Sequence, residues 1–421
     1  MSKRIKEPNA KMKDSGMEFV GMIPDDWDIK RVKEIATWMT GFTPPSNNET
    51  LYDGTDTWIT IRDLSDEKQI CSSAKTINGS LVPKDWKTPK NSLLFSFKLS
   101  IGQVAFNTEA LFTNEAICSF LPSSKIDLNY LYYSGPVFIV KNCKYNIYGA
   151  QLLNQELIAN AIIPVPSKKV QASIAAFLDQ QTSKIDKEIL LLKNKVELLD
   201  ELKYSTIYEA VTKGIHQDVK LKDSGIEWIG MIPSHWTVKR AKDVSIIQKG
   251  KANEMYEEHV FNSLPCIDTN FLRNKEDSVT YNIIGKKVKP NDILILWDGA
   301  NAGELFKNTS FGYLGSTFAV FKTHVNNDFF YYYLKGIEKK TRSNLTGMGI
   351  PHVNGNTLKQ IPFILPTATE QKEIVDTLDI QIFKINKKHE LITKKIKLLK
   401  EYKQSLIYEA VTGNTNLEEI K

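Results

Sequence analysis

Most marks of membrane-spanning, metal-binding or catalytic chains are missing from this sequence. Its longest apolar runs, residues 293–297 and 361–365, are strand-sized, whereas a membrane-spanning helix needs about 18 or more apolar residues in a row. No apolar segment follows the basic residues Lys3, Arg4, Lys6, Lys11 and Lys13, so the start does not read as a secretory leader and a cytoplasmic location is expected. Cys71, Cys118, Cys143 and Cys266 are scattered without a CxxC pair, which fits neither a zinc framework nor a disulfide scaffold. The histidines at positions 216, 235, 259, 324, 352 and 389 do not cluster, and no metal site is expected. There is no GxxxxGK[ST] phosphate loop, GxSxG elbow or HExxH helix, and Gly347-Met348-Gly349 is too short for a dinucleotide loop.

What is present is ordinary globular composition: 42% hydrophobic and 25% charged residues in 421, enough for two or three domains of about 150 residues each. A net charge of +6 permits an acidic partner without requiring one.

The dominant feature is internal repetition. Residues 11–35, KMKDSGMEFVGMIPDDWDIKRVKEI, align with residues 220–244, KLKDSGIEWIGMIPSHWTVKRAKDV, with 14 of 25 positions identical at an offset of 209. Residues 196–212, VELLDELKYSTIYEAVT, align with residues 396–412, IKLLKEYKQSLIYEAVT, with 11 of 17 identical at an offset of 200. The chain is a tandem duplication whose frame is alike and whose inserts differ, the pattern of one scaffold presenting two different surfaces. Within the first block, Pro24, Asp25, Asp28 and Lys30 look superficially like the acidic and lysine set of a metal-dependent nuclease. The spacing leaves no room for separate strands, and Ser234 and Thr237 replace both aspartates in the second copy, so no catalytic role is assigned.

After Pro166 and Pro366 the pattern turns helical. With Leu178 as a heptad d position, Thr182, Ile185, Ile189, Leu192, Val196 and Leu199 form one seam; Leu378, Ile382, Ile385, His389, Ile392, Ile396 and Leu399 repeat it. Two seams in one chain favour burial against each other as an antiparallel helix pair with pseudo-twofold symmetry. From position 178 to 206 the seam runs roughly 43 Å at 1.5 Å per residue, a ruler of fixed length. His389 reads as a half-exposed seam residue. The inserts read as mixed α and β, with strands at 58–61, 93–97, 116–121 and 293–297, helices near 129–142 and 328–342, and turns at Asp53-Gly54, Asn78-Gly79 and Asp298-Gly299. Residues 20–165 hold 13 basic and 15 acidic side chains, residues 229–365 hold 17 and 12. Any nucleic-acid contact must therefore use local patches such as Lys84, Lys87, Lys90 and Lys98, or Lys286, Lys287 and Lys289. The run Phe329 to Tyr333 belongs to a core rather than a stacking surface.

The openings KDSGxExxGMIPxxW, the insert motifs TGFTP (40–44), YGAQLLN (148–154) and WDGANAG (297–303), and helices that open after proline with Gln171 and Gln371 together resemble the specificity subunit of type I restriction-modification enzymes. Gln248-Lys249-Gly250-Lys251 in place of TGFTP, and Lys168-Lys169-Val170 before Gln171, depart from the family pattern. The resemblance implies an α+β fold: two mixed α/β target recognition domains, residues 20–166 and 214–366, joined by two long antiparallel coiled-coil helices, residues 167–213 and 367–412. Residues 1–19 complete the repeat frame and residues 413–421 form a tail. It also implies double-stranded DNA as partner, two modification subunits docked on the frame, and restriction subunits beyond them. S-adenosylmethionine, ATP and magnesium then belong to those partner subunits, and this chain carries no cofactor and no catalysis of its own. Each insert reads half of a split site, and the helices set a gap of about 12 base pairs at 3.4 Å per step.

Candidate DNA contacts are residues at turns or strand ends with donors suited to bases or phosphates: Arg62, Lys98, Ser100 and Gln151 in the first insert, and Arg273, Asn301, His352 and Asn354 in the second. Two other readings are a self-sufficient methyltransferase or nuclease component, for which the GxG strand-turn and [ND]PP[FY] motif are missing, and a coiled-coil scaffold without DNA contact.

Overall fold

The computed structural model describes residues 11–64, 67–216, 218–251, 254–273, 279–342 and 351–415. Gly347 to Gly349, Lys3, Arg4 and Lys6 lie outside these. Two compact units emerge, with boundaries that fall within the long helices. The first comprises Met1–Leu191 with Lys395–Lys421, the second Leu192–Lys394. The long helices, Lys168–Lys213 and Ala368–Val411, are therefore shared, each unit holding part of both.

In the first unit a five-stranded sheet runs in the order Trp38–Thr40, Ile117–Phe120, Leu93–Ser96, Val104–Asn107, Gln69–Ile70, the last pair parallel and the others antiparallel. Leu93–Ser96 is buried at every position because the sheet is covered on both faces. Successive side chains alternate sides: Leu93 and Phe95 join a core with Phe120 and Tyr130, while Leu94 joins Ile59 and Ile117. The second unit repeats this logic around Ile293–Leu296, with Ile293 and Ile295 packed with Phe329 and Phe330, and Leu294 and Leu296 with Phe318 and Leu314. Phe329, Phe330 and Tyr333 are fully buried, as expected of core residues. Some element ends differ from the sequence reading. The strand expected at 58–61 is Asp56–Ile59, followed by a tight turn at Ile61–Asp63, and the helix expected at 129–142 is Leu128–Phe138 with a separate turn at Val140–Asn142.

The two repeat blocks meet inside each unit. In the second, Tyr208 donates to the carbonyl of Trp228 at 2.5 Å and Gly214 lies against Trp236. In the first, the equivalent residues come from opposite ends of the chain: Tyr408 donates to the Phe19 carbonyl, and Gly413 packs on Pro24 and Trp27. The start of the expected tail is thus part of the first unit; residues 416–421 lie outside the described residues.

The glutamines that open the long helices are clamps. Gln171, almost fully buried, accepts from the Asp127 amide at 2.8 Å and donates to the Pro166 carbonyl at 2.8 Å. Gln371 does the same with Asn326 and Pro366 at 3.0 Å each. The oxygen and the nitrogen of each buried amide are thereby satisfied. One residue before, the copies diverge. Val170 has no polar group, but Glu370 accepts from Trp236 at 3.0 Å, from the Thr367 hydroxyl at 2.7 Å and faces His235 at 2.7 Å, a capping box reinforced from another element. Burial alone would raise the Glu370 pKa; the Trp236, Thr367 and His235 contacts outweigh it and lower the pKa to about 2. A carboxylate depressed in the folded state stabilises above its unfolded pKa and loses that contribution as pH falls through the folded value. Discounted for solvent screening, the second unit is thus expected to lose on the order of 1–2 kcal/mol between about pH 4.5 and pH 2. Glu370→Gln should flatten this part of its pH-stability curve, measurable by denaturant melts; an unchanged slope would refute the assignment.

Seam residues are buried or half-buried throughout: Leu178, Ile185, Ile189, Leu199, Leu378, Ile382 and Ile385 fully, Leu192, Val196, Ile392, Ile396 and Leu399 in part, along with His389. In the first unit Ile185 and Ile189 share a core with Leu406, Ile396 and Leu399; Asp186 pairs with Lys403 at 2.7 Å and Glu188 with Lys395 at 2.6 Å. In the second unit Leu199 shares a core with Ile382, Ile385 and Ile392, and Lys203 donates to Asn386 at 2.8 Å. Exposed ion pairs contribute at most about 1 kcal/mol each, so the apolar seam carries the association. Among the described residues no helix is long and apolar enough to cross a membrane.

Candidate nucleic-acid interface

The two units differ most in their exposed turns. In the first, the turn that joins Leu93–Ser96 to Val104–Asn107 presents Lys98, Leu99 and Ser100, all exposed. Ser96 donates to the Ser100 carbonyl at 2.5 Å and accepts from the Gln103 amide at 2.9 Å, which fixes the turn from within. Leu99 sits at φ +58° with 92% of its surface in water. A bulky side chain in the left-handed region costs about 1 kcal/mol, while the Leu99 carbonyl accepts from the Ile101 amide at 3.0 Å within the turn. Gln151 lies on a hairpin, Lys144–Tyr145 paired with Gln151–Leu152, and its amide donates to the Tyr145 hydroxyl at 3.3 Å. Arg62 is exposed on a different turn, held by the Thr60 and Asp63 capping box. Of the lysine patch, Lys84, Lys90 and Lys98 are exposed, while Lys87 is tied to Asp56 at 2.8 Å. That hydrogen bond, opposed by burial, lowers the Asp56 pKa.

In the second unit the corresponding turn is Asp298 to Gly303, with Gly299 at φ +113° where the first unit has Leu99. The structure gathers three of the four candidates here. Asn301 is exposed in this turn; the backbone at His352 lies against Asp298 in an isolated β-bridge, with the Gly299 amide donating to the Pro351 carbonyl at 3.0 Å. Arg273 reaches the same edge through an ion pair with Glu304 at 2.7 Å, so its guanidinium is already partly engaged. Lys249 completes the group, 2.9 Å from Asp298 and above the Trp297 ring. Asn354 serves the backbone instead, because its side-chain oxygen accepts from the amides of Asn356 and Thr357 and caps the helix Gly355–Gln360. Asn154, which ends the YGAQLLN motif, caps Gln155–Asn160 in the same way. That role was available from sequence, since Asn before a short polar helix is a standard cap. Lys287 and Lys289 are exposed, and Lys286 donates to Gln248 at 3.2 Å.

The motif departure at Gln248 to Lys251 keeps one residue. Gly41 and Gly250, at the same offset of 209 as the frame, each end a strand against a backbone carbonyl: a Cβ on Gly41 would lie 1.9 Å from the Thr113 oxygen, and one on Gly250 2.3 Å from that of Gly315. Elsewhere the candidate nuclease residues Asp28 and Lys30 form a surface ion pair at 3.5 Å, and among the described residues no three His, Cys, Asp or Glu side chains come together to hold a metal.

The type I restriction modification DNA specificity domain matches residues 24–198 and again 233–401. The chain belongs to the type I restriction-modification specificity family. Among its relatives is the MjaIX specificity subunit of Methanocaldococcus jannaschii, 23% identical over 95% of this chain and 96% of that one. The MjaVIII specificity subunit of the same organism is 36% identical over 39% of this chain and 40% of its own length. A solved structure described as the structural basis underlying complex assembly and conformational transition of the type I R-M system has the same fold, with a TM-score of 0.71 at 16% identity over 93% of this chain and 99% of that one. Repetition of the family domain agrees with the two structural units, and each match includes parts of both the insert and the helix that follows it.

Proposed function

We propose that this specificity subunit reads a bipartite double-stranded DNA site, one half with each unit, and that its long helices set the gap and carry two modification subunits. The observation that carries the reading is the pair of turns at 97–103 and 297–303: the same place on the same scaffold, between the same two sheet strands, but with KLSIG in one and DGANAG in the other. A duplicated catalytic site would need the same chemistry twice; a split recognition site needs different chemistry on one frame. The helices support a ruler. The pairs 186 with 403 and 203 with 386 share one residue-number sum, as they must if two helices run antiparallel as a coiled coil with pseudo-twofold symmetry.

Docking has its own support. Leu191, Leu198 and Leu202 are more than half exposed, and so are Leu391, Leu398 and Tyr402 at the same offset of 200. Spacings of seven and four put each trio on one helix face away from the a and d seam, as a helical partner would require on both copies. Methyl transfer from S-adenosylmethionine, and ATP- and magnesium-dependent translocation and cleavage by restriction subunits, are assigned to those partners; this chain contributes sequence choice.

The test is a heptad deletion in both helices, residues 192–198 and 392–398, in the complex with its modification subunit. Seven residues at 1.5 Å each remove about 10 Å, or about three base pairs. Methylome sequencing should show both half-sites retained and the gap shortened by about three. An unchanged gap would refute the ruler, and loss of any split site would refute the division of reading between units.

A further inference from the structure

The hairpin at 144–152 carries a feature that neither the fold nor the helix frame uses. Ile147 and Tyr148, at its tip, are 90% and 87% exposed, and Tyr145 on its first strand is 66% exposed. Such side chains in a floppy loop would fold back onto the protein. Here they are held out. Asn146 accepts from the amides of Tyr148 and Ala150 at 2.9 Å each, its own amide donates to the Ala150 carbonyl at 3.0 Å, and Gly149 turns the chain at φ +77°. At the hairpin root, Gly102 of the Leu99 turn approaches the Val140 side chain closely, with only 2.8 Å left for a Cβ. Two rigid apolar projections, one of them strained at Leu99, thus arise from adjoining segments of one unit.

Charge decides what they face. Residues 139–155 contain no Asp or Glu but do contain Lys141 and Lys144, and residues 97–108 contain no acid but do contain Lys98. A chain with 49 acidic residues in 421 would be expected to place about three in these positions by composition alone. Surfaces cleared of carboxylates and flanked by lysine fit a polyanion. A two-stranded β-ribbon fits the major groove, about 12 Å wide, and not the minor groove, about 6 Å wide.

Building on the DNA-reading role proposed above, we propose that the 144–152 hairpin enters the major groove of the first half-site. There Ile147 and Tyr148 make apolar contacts with base edges such as the thymine methyl, and Leu99 buttresses the same groove. Lys144 faces phosphate and Gln151, on the same ribbon, faces a base edge.

The experiment uses the complex with the modification subunit and measures dissociation constants for three duplexes: the methylome-defined site, the site with its first half scrambled, and the site with its second half scrambled. Ile147→Ala with Tyr148→Ala should cut discrimination at the first half-site about ten- to a hundredfold and leave the second unchanged. Because both side chains touch almost nothing, the melting temperature should not move. Leu99→Gly should weaken first-half discrimination while holding or raising the melting temperature, a combination that a structural role for Leu99 does not produce. If the wild-type complex discriminates and the double variant discriminates equally well, the hairpin inference fails alone. Loss of modification-subunit co-purification with discrimination intact also overturns it, since the tip would then be a protein contact. A wild-type complex indifferent to both half-sites overturns the DNA-reading role together with this inference.

Discussion

Deleting residues 395–421 is expected to unfold the first unit and leave the second folded. That segment supplies Leu406, Ala410, Val411 and Thr412, all buried among residues of the N-terminal half, and the half-buried Ile396, Leu399 and Ile407 pack on the same core. It also covers Trp27, which is 1% exposed, and provides the Tyr408 hydrogen bond to Phe19. At about 1.5–3 kcal/mol for each large apolar side chain fully buried, and less for the others, the loss is on the order of 8 kcal/mol. A domain's whole stability is about 5–15 kcal/mol. The second unit already has its counterpart: Ile207, Ala210 and Val211 lie within Leu192–Lys394. Calorimetry on the truncated chain should therefore lose one transition and keep one, with limited proteolysis leaving a resistant fragment near residues 192–394. Survival of both transitions would show that the first unit closes without the C-terminal segment.

Gly41→Ala should destabilise the first unit by at least about 3 kcal/mol, and Gly250→Ala the second. The added methyl on Gly41 would fall 1.9 Å from the Thr113 carbonyl oxygen and 2.4 Å from its hydroxyl. Thr113 is fully buried and its strand pairs with Asp56–Ile59, so relief means moving the small sheet away from the large one, not rotating a side chain. Overpacking a rigid site costs about 1–3 kcal/mol, and more where backbone must move. For units of this size each kcal/mol lowers the melting temperature by about 2–4 °C, so a drop of roughly 6–12 °C is expected in one transition only. The two variants should act on different transitions. A common effect on both would mean that the units do not unfold separately, and a shift under about 2 °C would mean that the close approach is relaxed in solution.

Local patterns were legible because their physics is local. Heptad spacing reports which helix face is apolar, so seam positions from Leu178 to Leu399 could be named from their intervals alone. The run Phe329 to Tyr333 reads as core because bulky aromatics on a helix seek burial, and Phe329, Phe330 and Tyr333 are buried. Which face each residue of Leu93–Ser96 serves is hidden in the sequence, since a strand buried on both faces loses its period of two. The candidate contacts were legible as residue types, not as situations. Sequence gives Arg273 as a donor but not its ion pair with Glu304, and gives Asn354 as an amide suited to adenine but not its cap on Gly355–Gln360. The exposure of Ile147 and Tyr148 is not legible in sequence, since it rests on the Asn146 bonds that hold the hairpin tip.

By itself the sequence determined that the chain is duplicated, that its frame ends in two long helices of one register, and that the inserts differ: identity at fixed offsets and periodicity need no third dimension. Only the tertiary structure decided which pieces complete which unit. Tyr130 donates to Pro164 and Phe19 accepts from Tyr408 across 389 residues, and no local pattern encodes such a pairing. It follows from the burial of Trp27 and Val411 in one core, where closing a long loop adds little to its cost, since that cost grows only with the logarithm of loop length.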